Sequence, residues 1–291
     1  MISKKIAVLS VLLAGCMWGV LGVSVRMLSE FGFSAIQIVV TRLLVSAAVL
    51  GVYLFFTDKS KMRMDLKDVK WFVGTGIFSM LFFNTCYCIT VELTSLSVAA
   101  VLLYTSPVFV VLISRPVFKE KITAEKWAAV ALSVTGCALV SGIQASGVSG
   151  IRSSGIASGI GAAVGYALYS VLAKILLKKY DSLTILLFTF AFAGAGGLFI
   201  TPVREIAVIV GNAPIAAFVI IVSAIICCVA PYVFYNRALS AIQASKASVI
   251  ASIEPIVATA AGVVAFGEGL TFSGIIGTSL ILIAIAILNS R

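Results

Sequence analysis

The sequence predicts an all-α membrane protein of ten transmembrane helices in a five-plus-five inverted-topology repeat. Three observations predict it. Of 291 residues, 61% are apolar or aromatic and 11% are charged, against roughly 45–50% and 25% in an ordinary soluble domain. The apolar residues gather into ten runs, each near the about 20 residues that cross hydrocarbon as a helix. The second half of the chain also repeats the first at a constant offset. Ten spans use about 200 residues, which leaves short loops and no room for a soluble domain. This composition excludes a disordered chain, a disulfide-stapled secreted scaffold and an average soluble enzyme. Histidine is absent, which removes the commonest general base and the commonest metal ligand.

The runs occupy residues 6–28, 35–56, 71–90, 96–114, 125–142, 154–177, 183–203, 215–236, 245–266 and 272–288. Polar breaks separate them at Ser29-Glu30, Thr57 to Lys70, Glu92, Arg115 to Lys126, Gly147 to Ser154, Lys178 to Ser182, Arg204-Glu205 and Gly211-Asn212. Two short breaks, Arg237 to Lys246 and Gly267 to Thr271, complete the set. The start mimics a processing signal. Lys4-Lys5 precede an apolar run, and Leu13-Ala14-Gly15-Cys16 resembles a lipoprotein cleavage box. A cleaved lipoprotein turns polar after the cysteine, whereas Trp18-Gly19-Val20-Leu21 continue the apolar run. The segment therefore reads as the first span.

Charge sets the orientation. With loops counted alternately, seventeen Lys and Arg residues fall on the side of the N-terminus and three (Arg26, Arg152, Arg204) on the other, with Arg42 inside a span. The positive-inside rule makes the first side cytoplasmic and puts both termini there. The net charge of +10 is then a topology signal and does not point to nucleic acid.

Shifted by 148 residues, Pro107 lands on Pro255, Glu120 on Glu268, Thr123 on Thr271, Tyr87 on Tyr235 and Ser97 on Ser245. Trp18 meets Tyr166, and Arg26 meets Lys174. Rare residues at one shared offset carry more weight than matches of Ala or Val. Two units, residues 1–145 and 150–291, follow. Five spans per unit is odd, so equivalent helices cross in opposite directions, the arrangement of many secondary transporters.

The stretch Tyr104-Thr-Ser-Pro107-Val-Phe109 through Phe118-Lys-Glu120, with Ser252-Ile-Glu-Pro255-Ile-Val257 through Phe266-Gly-Glu268, resembles the signature of the EamA-type families of the drug/metabolite transporter superfamily. Trp18-Gly19 and Thr41-Arg42-Leu43 are also similar to that family. Lys119 stands where the second copy has Gly267, which weakens any special role for that glycine. The resemblance covers the whole chain in two copies. It implies a ten-helix fold that moves small metabolites, often outward, with cavity walls from spans 1–4 and 6–9 and spans 5 and 10 as outer braces.

Glu254 is the sharpest single residue. A carboxylate in mid-span is costly by about 2.5–3.5 kcal/mol and turns towards the bundle interior or water. Its equivalent is Ser106, so duplication does not force an acid there. Glu254 is a candidate for substrate binding and for proton coupling; a structural carboxylate paired with Arg42 or with backbone near Pro255 is the alternative. Arg42 stays charged and needs a partner. Glu254, a freed carbonyl, an anionic substrate group or the lipid headgroups all qualify, so it is a second coupling candidate. Trp18, Tyr104, Tyr166 and Tyr169 near mid-depth, with Asn84 and Tyr232, suit a pocket for partly apolar solutes or cations. Helix packing is the competing reading for these, and an interfacial belt that for Tyr87, Tyr235 and Asn236. Pro107 and Pro255 free a mid-span carbonyl each and are hinge candidates; plain curvature is the alternative.

Gly15-Gly19 and its equivalent Ala163-Ala167, with Gly155-Gly159 and Gly161-Gly165, read as close-packing surfaces. Glu120 and Glu268 are expected to cap the helices that follow them, with Thr123 and Thr271; gate latches are the alternative. The six cysteines lie in spans and read as small buried side chains, with no cofactor or metal expected. No Walker motif, phosphate-binding loop or nucleophile–base pair is found, so neither ATP-driven transport nor an enzyme is indicated. The sequence thus supports a secondary transporter of a small organic solute in the cytoplasmic membrane, working by alternating access. Its partners are that solute, the lipid bilayer and, if Glu254 couples transport, protons. A channel, a structural bundle or a lipid enzyme without recognisable motifs are the rival classes.

Overall fold

A computed structural model describes residues 2–142, 152–267 and 269–289. Glu268, Arg291 and most of the break at 147–154 lie outside the described residues. The helices are α1 (Lys4–Glu30), α2 (Ala35–Thr57), α3 (Leu66–Leu93), α4 (Leu96–Phe118), α5 (Ala124–Val140), α6 (Ser153–Leu176), α7 (Ser182–Gly197), α8 (Pro214–Leu239), α9 (Ala244–Phe266) and α10 (Phe272–Asn289). Among the described residues, seven of these (α1–α4, α6, α8 and α9) are long and apolar enough to cross a membrane. The other three are shorter.

Local chemistry sets several ends. Ser34 and Gln37 form a reciprocal capping box at the start of α2, with Gln37 N donating to Ser34 Oγ at 3.3 Å and Ser34 N to Gln37 Oε1 at 2.8 Å. The seventh apolar run ends sooner than its hydropathy suggests. Gly194, Gly196 and Gly197 close α7, and a turn at 198–200 leads to Pro202. A short helix, Val203–Asn212, then occupies what reads in sequence as a polar break. It is anchored to α2 by Gln37 Nε2, which donates to Glu205 Oε2 at 2.8 Å.

Two helices break at equivalent points. The helical ladder of α4 is interrupted at Tyr104-Thr105 and that of α9 at Ser252-Ile253, positions 148 apart. Pro107 and Pro255 each sit in the first turn of the resumed helix, where a missing N–H is no loss. Wide π-type turns recur at matching places as well, over Gly74–Leu81 in α3 and Ile225–Val229 in α8. The interruption of α1 at Val20 has no counterpart, because α6 is continuous.

Packing follows the same exchange. α1 packs on α8 and α9, as α6 packs on α3 and α4; α2 pairs with α7, α4 with α9 and α5 with α10. The α2–α7 and α5–α10 pairs run antiparallel. Val40 lies against Gly197, Leu44 against Gly194 and Leu187 near Gly51, so numbering rises along α2 as it falls along α7. In α5 and α10 the backbones touch at Gly136 and Gly277, where a Cβ on Gly136 would lie 2.7 Å from the Gly277 carbonyl. The start of α5 (Thr123, Lys126) meets the end of α10 (Ile287, Leu288).

Candidate functional site

The close approach of α1 to α9 creates the site. A Cβ on Gly19 would sit 2.8 Å from the Glu254 carbonyl and 2.6 Å from Val257 Cβ. Only a residue without a side chain allows this contact. It brings Trp18 beside the break in α9, where Glu254 opens the second helical segment. A cavity of about 150 Å³ lies there, walled by α1–α4, α6, α8 and α9. Among the described residues α5 and α10 contribute no wall, in keeping with outer braces; α7, expected to line the site, contributes none either.

Trp18, Asn84, Tyr104, Tyr166, Tyr232, Arg42 and Glu254 all line this cavity. The rings form one edge-to-face stack, with Trp18 5.0 Å from Tyr232 and 6.5 Å from Tyr166, and Tyr166 5.4 Å from Phe83. Asn84 Nδ2 is committed to the Met80 carbonyl at 2.8 Å, and the Tyr232 hydroxyl approaches Met80 Sδ at 3.5 Å. Arg42 is 7% exposed, and its Nε and Nη1 have no hydrogen-bond partner. Arg42 and Glu254 share the cavity, yet no ion pair within 4.0 Å joins them among the described residues.

Tyr169 lies one layer beyond the wall. Its hydroxyl donates to Asn236 Oδ1 at 3.0 Å. Pro107 and Pro255 sit at the helix breaks and do not line the cavity. Phe83 and Met80, which the sequence does not single out, also line it, as do Tyr87, for which an interfacial belt was the alternative, and Cys227 and Cys228, which read as small buried side chains. Phe83, Asn84 and Tyr87 follow the three- and four-residue spacing of one helix face, so Asn84 was the available signal for its two neighbours. The interfacial-belt reading fails for Tyr235 and Asn236. Both are buried, because Tyr235 exchanges a 2.8 Å hydrogen bond with Ser170 and Asn236 accepts from Tyr169.

The two ends of the cavity differ. In one direction it adjoins a cleft of about 610 Å³ that shares Trp18, Tyr87, Tyr104 and Glu254 and reaches Arg26 and Phe266. The Arg26 guanidinium stacks 4.1 Å from the Phe266 ring centroid. In the other direction the Tyr169–Asn236 and Ser170–Tyr235 bonds close the seam between α6 and α8, and Lys174 Nζ donates to the Ile242 carbonyl at 2.6 Å. Below them Glu120 crosses between the halves. It was expected to cap α5, but Thr123 does that, accepting from Lys126 N at 3.3 Å. Glu120 instead caps α9, accepting from Ala244 N at 3.0 Å and from the Ser245 hydroxyl, because the α4 end meets the α9 start. Lys126 at 3.6 Å and Lys174 at 3.8 Å balance its charge. Farther out Lys179 binds Asp65 and Asp68, and Lys61 pairs with Asp181 at 3.7 Å. Hydrogen bonds to Asp65 and Asp68 hold the exposed Lys179 above the usual lysine range. This end, where Lys4, Lys126 and Lys246 also surround one hollow, is the basic face.

The EamA-like transporter family model matches residues 5–142 and again 153–290. The two matches begin 148 residues apart, the offset of the sequence repeat. An uncharacterized transporter of Archaeoglobus fulgidus is 28% identical over 244 residues, covering 82% of this chain and 85% of that protein. The uncharacterized transporter YyaM of Bacillus subtilis is 24% identical over 217 residues, covering 73% and 70%. A crystal structure with 18% identity superposes with a TM-score of 0.78 over 99% of this chain and 98% of its own, a likeness of fold alone. With both halves matched, the chain belongs to the EamA-like transporter family of the drug/metabolite transporter superfamily and is a multi-pass membrane transporter.

Proposed function

We propose that the protein is a secondary transporter, an exporter of a small organic metabolite across the cytoplasmic membrane by alternating access. All ten helices cross the bilayer. Residues 1–145 and 150–291 are the two repeats, inverted relative to one another; the antiparallel α2–α7 and α5–α10 pairs support this. Both termini are cytoplasmic, since the basic face gathers the lysines that the positive-inside rule assigns there. Trp18, Asn84, Tyr104, Tyr166, Tyr232 and Glu254 form the substrate pocket, with Tyr169 supporting its floor. Glu254 takes up the coupling proton, Arg42 is the charge beside it, and the breaks at Pro107 and Pro255 are the paired hinges.

One observation carries this reading. A cavity between the two halves, beside both helix breaks, adjoins a cleft at one end and is sealed by hydrogen bonds at the other. Irregular backbone survives at membrane depth only where protein covers it or a cavity faces it. Exchange of the two near-equivalent halves then interchanges the open and sealed ends.

The test is two-sided labelling of single cysteines at positions 18 and 166 in vesicles, with flux measured alongside. Alternating exposure is expected, one face excluding the other. Simultaneous access from both faces identifies a channel. Glu254→Gln is expected to insert normally and lose proton-coupled flux. Unchanged pH-dependent flux in that variant rejects the coupling role.

A further inference from the structure

Arg42 carries a charge that the protein leaves unanswered. A guanidinium stays ionised, and burying it without a partner is expensive. Snorkelling does not settle this, because Arg42 is 7% exposed and lies about one turn from the centre of α2. Its Nε and Nη1 find no acceptor. Around the same cavity the polar groups are few. Asn84 gives its amide to Met80, Glu254 lies beyond ion-pair distance, and the remainder is mainly aromatic rings, aliphatic side chains and thiols. The fold does not require a cation here either. The equivalent residue in the second half is Phe190, fully buried and 5.8 Å from the Tyr232 ring.

The geometry points to Arg42 as the anchor for a carboxylate on the transported solute, so that the substrate class is small organic acids with an apolar body. This rests on the transport reading and assigns the chemistry of its pocket. Carboxylate and guanidinium are matched in shape and charge. The cavity of about 150 Å³ equals the size that admits a benzene ring in a protein core, so the body is small. The aromatic and aliphatic walls take the hydrocarbon, while a cation without a carboxylate meets an unpaired guanidinium.

The experiment uses four compounds built on one 3-methylbutyl group with the purified full chain in nanodiscs. They are 4-methylpentanoate, its neutral amide, the amino acid leucine, and 3-methylbutylamine. Binding is read as a rise in melting midpoint with concentration. The carboxylates are expected to bind about tenfold tighter than the amide, the size of a charge-assisted hydrogen bond, and the amine more weakly than either carboxylate. Leucine against 4-methylpentanoate tells whether an ammonium adds to the recognition. Arg42→Met is expected to bind acid and amide equally. Arg42→Lys, which keeps the charge should the first variant not fold, is expected to retain the preference in weakened form. An amide that binds as well as the acid, an amine that binds best, an undiminished preference in Arg42→Lys and Arg42→Met, or no shift with any compound overturns the assignment. The two-sided labelling remains a separate reading of transport, so failure of the substrate class and failure of the mechanism are distinguishable.

Discussion

The two halves of the molecule are one fold with two sets of instructions. They share the offset, the paired breaks in α4 and α9 and the matching π-type turns in α3 and α8. They differ where the cavity is. Arg42 is equivalent to Phe190 in the repeat, Glu254 to Ser106, Asn84 to Tyr232, and Trp18 to Tyr166. Each half supplies one charge that the other lacks. Pseudo-symmetric backbone therefore builds the container, and departures from symmetry furnish its chemistry.

The same comparison explains why one end is sealed. At the basic face Ser170 binds Tyr235 and Tyr169 binds Asn236. The equivalent pairs at the other end are Gly22 with Tyr87 and Leu21 with Cys88, which cannot form those bonds. Where they would stand lies the larger cleft. Cation-on-ring contacts, by contrast, are kept at both ends. Arg26 lies over Phe266, and Lys174 lies 5.4 Å from the centroid of Phe118.

The largest expected effect comes from moving the acid between halves. Glu254→Ser with Ser106→Glu keeps the composition but is expected to lower coupled flux by on the order of 100-fold, equivalent to about 2.7 kcal/mol. Ser106 is buried against different helices, and flux restored to the original level would show that the halves are interchangeable. Next is Glu120→Ala, which strands Lys126, Lys174 and the start of α9. Removing one member of a buried charge cluster costs about 3–5 kcal/mol, discounted here because the lysines keep partial access to water. Labelling of a cysteine at 166 from the basic face should rise at least several-fold, and an unchanged rate would deny Glu120 any part in the seal.

A smaller and sharper test uses the missing hydroxyl. Tyr235→Phe removes a buried hydrogen bond worth about 1 kcal/mol and should shift accessibility towards the basic face. Gly22→Ser should do the same from the other end by giving Tyr87 a partner; nothing lies within 4 Å of a Cβ at Gly22, so the side chain has room. Opposite shifts from the two variants would break the comparison. The smallest effect is expected at Lys179, which is exposed. Its pKa is raised by Asp65 and Asp68, so its contribution is complete below the ordinary lysine range and fades only as pH climbs through the raised value. The difference in melting between Lys179→Gln and the parent should be small and constant from neutral pH to pH 9; a difference that changes across this window would contradict that sign.

Much of this was legible in the chain. The run boundaries fall within a few residues of most helices, because burial in lipid imposes a long apolar window that no local contact can disguise. The exception, the end of α7, came from three glycines and Pro202, which stop a helix that hydropathy alone would continue. Seven proposed site residues meet around one cavity, because a mid-span polar group must turn inward. For Tyr87, Tyr235 and Asn236 the chain left pocket and interfacial belt open, since belt and core positions carry the same residue types and differ only in what lies opposite. The role of Glu120 was hidden for the same reason. Its partners are more than a hundred residues away, on the other repeat.

The sequence by itself determined the membrane class, the duplication and the inward-facing charges, because hydropathy and a constant offset are properties of the chain. Only the tertiary structure decided that Arg42 and Glu254 share a cavity without pairing, that Glu120 caps a helix of the opposite half, and which end is sealed. Those outcomes depend on distances between helices far apart in sequence, set by where Gly19, Gly136 and Gly277 allow backbones to touch.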